Sequence, residues 1–325
     1  MAWVGLVLVA KNWIITTSFG YEAFVLRPLL ESIRRFAPSC GVLILTDDAG
    51  LEELSSLTAH GEQVLLRAVK TPPKVIRGPF ALARKILSRS QKIIRRTLQQ
   101  AGHTIRGARQ PSKISIEEPR RLSLSTCQAH LLIRRFFWVK QILESGSLGE
   151  VENLMLCDAR DVVLQRDPFA DCPHLFITGE EGDTIAESPM NRGWLTKAYS
   201  RAVALELDPY QALCAGVLMG AKCQMAAYLD CFCESTLAIM SRQGTSLLPN
   251  WDQGIHNKIL RINQPVELAC SPVDGLISTL GCVPPDRIKL NPEGMIVVNG
   301  KIPAVIHQYD RHPALVEHLQ HVYQP

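Results

Sequence analysis

Residues 153–170 read NLMLCDARDVVLQRDPFA. Five mostly apolar residues, Asn153–Cys157, run directly into Asp158 and Asp161 with Arg160 between them. Two readings are open. The first is a buried strand that ends in a solvated turn; the second is a metal site at the carboxyl end of that strand. Aspartates three apart on a straight strand point to opposite faces, so Asp158 and Asp161 converge only if the chain bends just after Asp158. A bend is expected, because Pro168 follows closely and cannot continue a central strand. Paired carboxylates of this kind suit Mg²⁺ or Mn²⁺, which take oxygen ligands and share them with substrate phosphates.

The flanking sequence alternates short apolar runs with helical patterns. VGLVLVA (4–10), GVLILT (41–46) and EQVLLRAV (62–69) have the length and composition of buried strands. Pro28 is expected to open the helix PLLESIRRF, since its missing N–H costs nothing at a first helical position. AHLLIRRFFWVKQILES (129–145) predicts a helix leading into the strand at Asn153. The fold class expected is α/β, a mainly parallel Rossmann-like sheet with helices on both faces. Ligands of such sheets bind beyond the carboxyl ends of the strands, which is where Asp158 falls.

Composition narrows the function classes. The 325 residues carry 35 basic and 31 acidic side chains, a net charge of +4, so no nucleic-acid partner is expected. No run reaches the roughly 18 apolar residues of a membrane span, and the apolar opening lacks a basic leader or cleavage site. Ten cysteines are scattered along the chain, and the Cys231-Phe-Cys233 pair does not have zinc-ligand spacing. Reduced, mostly buried thiols in a cytoplasmic protein are expected. Charge is concentrated in one segment: residues 81–121 hold eleven Lys or Arg against two Glu. Subtracting that excess of nine from +4 leaves about −5 on the rest. The organisation expected is a single catalytic domain over 1–325 with a basic helical or loop insertion at 79–122. That insertion is either a solvated surface element or an amphipathic arm, which would place the protein at an anionic membrane surface or against an acidic partner.

Two later stretches add to the opening motif. NWDQGIHNKIL (250–260) looks like a helix start, with Asn250 or Asp252 as its N-cap. IPAVIHQYDRHP (302–313) is an apolar strand that ends in His307. A histidine with two carboxylates is a full protein ligand set for Mn²⁺. In AESPMNRGWL, Glu187, Asn191 and Trp194 follow a short strand and can line an acceptor site, with core packing the alternative for Trp194. Asn12 and Tyr21, expected after the first strand, are candidates to meet a nucleotide base. Of Arg134 and Arg135, one is expected to reach a diphosphate; Arg134 is taken as the donor-binding residue.

Residues 153–170, 210–220, 250–260 and 302–313 together resemble the nucleotide-sugar glycosyltransferases of the GT-A fold. They are most similar to the group with D-[ST]-R-D-V-x-[FL]-Q-x-D-P-F, D-Q-x-x-x-N and H-Q-Y-D-R motifs, related to the retaining family 8 enzymes. The resemblance covers the N-terminal strands and nearly everything from about residue 129 onward. It implies that Asp158 and Asp161 contact metal and ribose, with His307 the third protein ligand to Mn²⁺ or Mg²⁺. It also implies that Ala215 and Gly216, in CAGVLMG (214–220), allow close approach of a UDP- or GDP-sugar, and that Asp252 and Gln253 lie near the reacting face of the sugar.

The chain departs from the pattern in three places. The short Asp-x-Asp of many relatives is Asp-Ala-Arg-Asp here. Cys214 stands where the pattern has asparagine. The H-x-x-G-x-x-K ending is absent, so Arg311 is the expected replacement for the lysine that steadies the leaving diphosphate, its planar fork suiting phosphate oxygens. The expected activity is metal-dependent transfer of a hexosyl or pentosyl group to an acceptor the sequence does not name. Asp252 would act as base if configuration is inverted; the resemblance leans towards retention. A sugar nucleotidyltransferase and a catalytically silent transferase scaffold are the alternatives.

Overall fold

Beside Gly41–Thr46 in the sheet lies Asn12–Thr17 (β1), which begins at the residue expected to follow the first strand. β1 pairs in parallel on both sides, with Gly41–Thr46 (β2) and with Asn153–Asp158 (β4). Its Ile-Ile-Thr-Thr core is β-branched, which suits a pleated surface better than total hydrophobicity does. The computed structural model describes residues 10–57, 64–69, 129–170, 174–244 and 248–323. Contacts divide the chain into two units, Met1–Lys70 with Cys127–Pro325, and Thr71–Thr126. All described residues belong to the first unit. The basic segment 79–122 and residues 4–9 lie outside them.

The central sheet has seven strands in the order β3-β2-β1-β4-β7-β6-β8. Here β3 is Val64–Ala68, β6 Phe176–Thr184, β7 Gln211–Ala221 and β8 Leu268–Ser271. β7 runs antiparallel to both its neighbours, and the other four pairings are parallel. The sheet is therefore mixed and mostly parallel. Among the described residues there are eight α-helices: α1 Ala23–Phe36, α2 Asp48–Glu53, α3 Leu131–Glu144, α4 Pro189–Ala198, α5 Arg201–Leu207, α6 Lys222–Gln243, α7 Asp252–Lys258 and α8 Pro313–Val322. No helix among these residues is long and apolar enough to cross a membrane.

Strand alternation distributes the core over two faces. Ile14, Val42, Ile44, Met155 and Cys157 pack with Leu26, Leu29 and Ile33 of α1. Ile15, Leu43, Leu45, Leu154 and Leu156 are equally buried and point the other way. On that second face Phe136 of α3 meets Phe232 of α6 at 3.9 Å, and Tyr228 of α6 meets Phe176 of β6 at 4.6 Å between ring centroids. Helices thus cover both faces. Pro28 lies inside α1 instead of opening it. The bond it forgoes is to the carbonyl of Phe24, an exposed residue in the first turn, where the loss is small.

A second, three-stranded sheet joins Val162–Leu164 (β5), Val305–His307 (β12) and Ile277–Thr279 (β9). It shares a separate core with α8 and with the hairpin of β10 (Ile288–Leu290) and β11 (Ile296–Val298). Gln165 clasps this hairpin, its Nε2 donating to the Ile296 carbonyl at 2.9 Å. Asp167 accepts from the Phe169 N–H at 2.9 Å and so shapes the turn at Pro168. Eight cysteines are described, all of them free; four are buried, and Cys223 and Cys282 are exposed, so the thiols are less uniformly internal than expected.

Candidate metal centre

β4 ends at Asp158, the chain bends through Ala159 and Arg160, and β5 begins directly after Asp161. β5 pairs with β12 so that Val162 faces His307. The Gln308 N–H donates to the Asp161 carbonyl at 2.9 Å, and the Tyr309 hydroxyl donates to the Arg160 carbonyl at 2.9 Å. These two bonds fix the bend, and the bend is what brings the two aspartates together. His307 Nε2 lies 3.6 Å from Asp158 Oδ2 and 3.8 Å from Asp161 Oδ1. One ligand atom from each of the three residues lies within 4.8 Å of the others. Ligands on opposite sides of a small divalent cation stand about 4.2 Å apart, so the set needs only slight contraction to close on one.

Two observations bear on whether the set could hold a cation. His307 Nε2 is buried and lacks a hydrogen-bond partner, a costly state for a polar atom unless something binds it. The carboxylates and the ring also shift one another's protonation. Burial raises the Asp161 pKa, with His307 pulling it down and Asp158 pushing it further up. Asp158 is held down to about 2: burial opposes its charge, but Arg135 and His307 outweigh burial. Burial likewise opposes a charge on His307, yet Cys214, Asp158 and Asp161 around it raise its pKa. Cys214 is itself pushed up by burial and stays a neutral thiol, so the carboxylates are what draw positive charge to this spot.

Gly216 makes the approach possible. Cys157 faces Val217 across the β4–β7 pair, which sets Asp158 beside Gly216. A Cβ there would fall 2.2 Å from His307 Cε1 and 2.9 Å from Asp158 Oδ2. β7 bulges at this point: the five steps from Leu213 to Leu218 stand against the two from Glu180 to Thr178. The carbonyls freed by the bulge find side chains. The Thr178 hydroxyl donates to Cys214 O at 2.8 Å, and Arg135 Nη2 donates to Ala215 O at 2.7 Å.

Arg135, the neighbour of the expected Arg134, is the arginine that touches Asp158 and Asp252. Its Nη1 pairs with Asp158 Oδ1, and its Nη2 lies 3.3 Å from Asp252 Oδ2. Arg134 packs over the Trp138 ring at 5.0 Å. Asp252 is the first residue of α7 and is buried; Trp251 occupies the cap position expected for Asn250 or Asp252, while the Asp252 carboxylate accepts backbone N–H bonds from Gln253 and from itself at the helix start. Burial raises its pKa, and Arg135 offsets part of that. α7 is tied to the bulge by Asn257, whose amide donates to Leu213 O and accepts from Leu213 N, both at 2.8 Å. Behind it His256 bonds Tyr228 Oη at 2.8 Å, and burial, then Arg135 and Arg261, lower its pKa to about 3.

The remaining expected residues divide. Gln253 Nε2 donates to Glu181 Oε2 and to Asn191 Oδ1, both at 2.9 Å, and Asn191 Nδ2 donates to Glu181 at 3.0 Å. Gln253 and Asn191 therefore share a polar cluster with Glu181, which nothing in its local sequence singles out. Glu187 accepts from the N–H and hydroxyl of Thr184 and shapes the turn before α4. Trp194 packs against Gly254 of α7, where a Cβ would fall 2.9 Å from its own. Arg160 pairs with Asp310 at 2.8 Å, and Arg311 lies 3.7 Å from the same carboxylate, both about half exposed. Among the described residues, the ion pair of Arg311 is with Asp310 and not with the Asp158–Asp161–His307 cluster. Asn12 bonds Asn153 at the amino end of β1, the far end from the site, whereas Tyr21 follows its carboxyl end.

Comparison with models of known protein families finds no match, and comparison with curated proteins finds none either.

Proposed function

We propose that this chain is a divalent-cation-dependent glycosyltransferase of the GT-A type, using a nucleoside-diphosphate sugar as donor. The observation that carries the reading is the convergence of Asp158, Asp161 and a partnerless His307 Nε2 at the carboxyl end of a central parallel strand. That is the position where open α/β sheets bind ligands. The motif order of the sequence agrees with it.

Asp158, Asp161 and His307 would hold Mn²⁺ or Mg²⁺. Held there, the cation supplies Lewis-acid neutralisation of the charge that grows on the leaving diphosphate. The chain's own residues do the rest. Arg160 and Arg311, exposed and sharing Asp310, offer guanidinium donors to phosphate oxygens. Gly216 leaves the floor of the site open beside the cluster. Arg135 neutralises Asp158 and Asp252 from beneath and holds both carboxylates in orientation. Asp252 and Gln253 meet the sugar, and the Glu181–Asn191 pair orders Gln253.

The test is nucleoside-diphosphate release from UDP- and GDP-sugars in Mn²⁺, for the native chain and for Asp161→Ala and His307→Ala. Both variants are expected to fold and to lose turnover. Undiminished turnover in EDTA would overturn the reading. Release of pyrophosphate from UTP or GTP with a sugar 1-phosphate would assign a nucleotidyltransferase, and nucleotide-sugar binding without turnover a silent scaffold.

A further inference from the structure

We propose that Cys214 is a positioning residue for the cation-binding histidine: its sulfur accepts the Nδ1–H of His307 and so turns the Nε2 lone pair onto Asp158 and Asp161. The inference rests on the cation reading of the cluster. Its starting point is the difference between the two ring nitrogens. Nε2 faces the carboxylates without a hydrogen-bond partner, while Nδ1 lies 3.7 Å from Cys214 Sγ. A neutral imidazole carries one proton, and the nitrogen that ligates a cation must be the one without it. Nδ1 must then hold the proton and needs an acceptor. His307 is 1% exposed and Cys214 2%, so bulk water does not reach that nitrogen. The thiol sulfur does.

The place of the sulfur is set by backbone. Cys214 opens the bulge of β7, and the bulge is held by Thr178 on the Cys214 and Val217 carbonyls and by Arg135 on the Ala215 carbonyl. On the other side, the Gln308 amide approaches Sγ to 4.0 Å. Two rival roles fail. As a nucleophile Cys214 would need access, and it is sealed. As a fourth ligand it would need to lie on the Nε2 side of the ring, and it lies on the Nδ1 side. Groups that orient a ligating histidine in this way typically carry 10–100-fold in metal affinity.

The test uses the full chain and Mn²⁺ alone, titrated by electron paramagnetic resonance, with Asp161→Asn as the control for the site. Cys214→Val keeps an apolar filling and removes the acceptor; Mn²⁺ affinity is expected to fall about 10–100-fold. Cys214→Ser restores an acceptor and should recover most of it. Equal affinity in native and Cys214→Val protein would overturn the proposal and leave the cation reading standing. Absence of Mn²⁺ binding in the native protein, or binding unaffected by Asp161→Asn, would overturn both. A second measurement needs no Cys214 variant. Long-range ¹H–¹⁵N spectra of the Mg²⁺-loaded native chain, with His307→Ala to identify the ring, should show the proton on Nδ1. A proton on Nε2 in the loaded protein would end the proposal.

Discussion

Replacing Gly216 by alanine adds one methyl group at the most crowded point of the site. The new Cβ would fall 2.2 Å from Cε1 and 2.5 Å from Nε2 of His307, and 2.9 Å from Asp158 Oδ2. Carbon atoms in contact rest about 3.5–4.0 Å apart, so the imidazole must retreat by roughly 1.3 Å. Cys214 stands behind the ring, and the β5–β12–β9 pairing holds its backbone, so the strain spreads into β7 as well. Overpacking of this kind costs about 1–3 kcal/mol, which urea denaturation would read as a lower midpoint with an unchanged slope. The cation site suffers more. Metal–ligand distances tolerate about 0.2 Å, several times less than the forced displacement, so Mn²⁺ affinity should fall by more than about a hundredfold. Gly193→Ala is the control, because nothing lies within 4 Å of its Cβ position in α4. That variant should bind Mn²⁺ normally and gain up to about 1 kcal/mol. A Gly216→Ala protein that binds Mn²⁺ as the native chain does would refute the placement of His307 and Asp158 around this glycine.

Three further outcomes are expected. Arg135→Met leaves Asp158 and Asp252 without their shared cation, and chemical denaturation should show a loss of about 3 kcal/mol, the lower end for a broken buried pair because Asp158 keeps a third of its side-chain exposure; a loss under about 1 kcal/mol would show that the carboxylates are held by other means. Asp252→Asn removes a carboxylate whose ionised form burial disfavours, so its melting temperature should equal or exceed the native one while turnover of a donor and acceptor pair falls at least about a hundredfold; full activity would reduce Asp252 to a packing role. His256 titrates near 6.5 when unfolded and is lowered to about 3 in the fold, so the stability it contributes is present above pH 6.5 and is lost as pH falls from there towards 3. At pH 5 that loss is about 2 kcal/mol, and His256→Gln should flatten the dependence of stability on pH between 5 and 7; an unchanged slope in the variant would place the titration elsewhere.

The linear chain determined most of the architecture around the site. Apolar runs of strand length, alternating with helical periodicity, are local properties, and they placed Gly41–Thr46, Asn153–Asp158, the helix at 131–144 and a mostly parallel sheet. Asn12, expected to follow the first strand, opens β1 itself, because β-branched residues there pair with both neighbours, a choice that apolar content alone does not signal. The aspartates and His307 were legible as residue types at strand ends. Their convergence was not, since it depends on a bend pinned by Gln308 and Tyr309 from more than a hundred residues away. The choice of Arg135 over Arg134 was also beyond the sequence: adjacent helical residues point about 100° apart, and only the packing of α3 on the sheet decides which one faces the site. Glu181 and the Cys214–His307 pair belong to the same class. Neither has a local signal, because the bulge in β7 and the approach of β12 exist only once distant strands have paired.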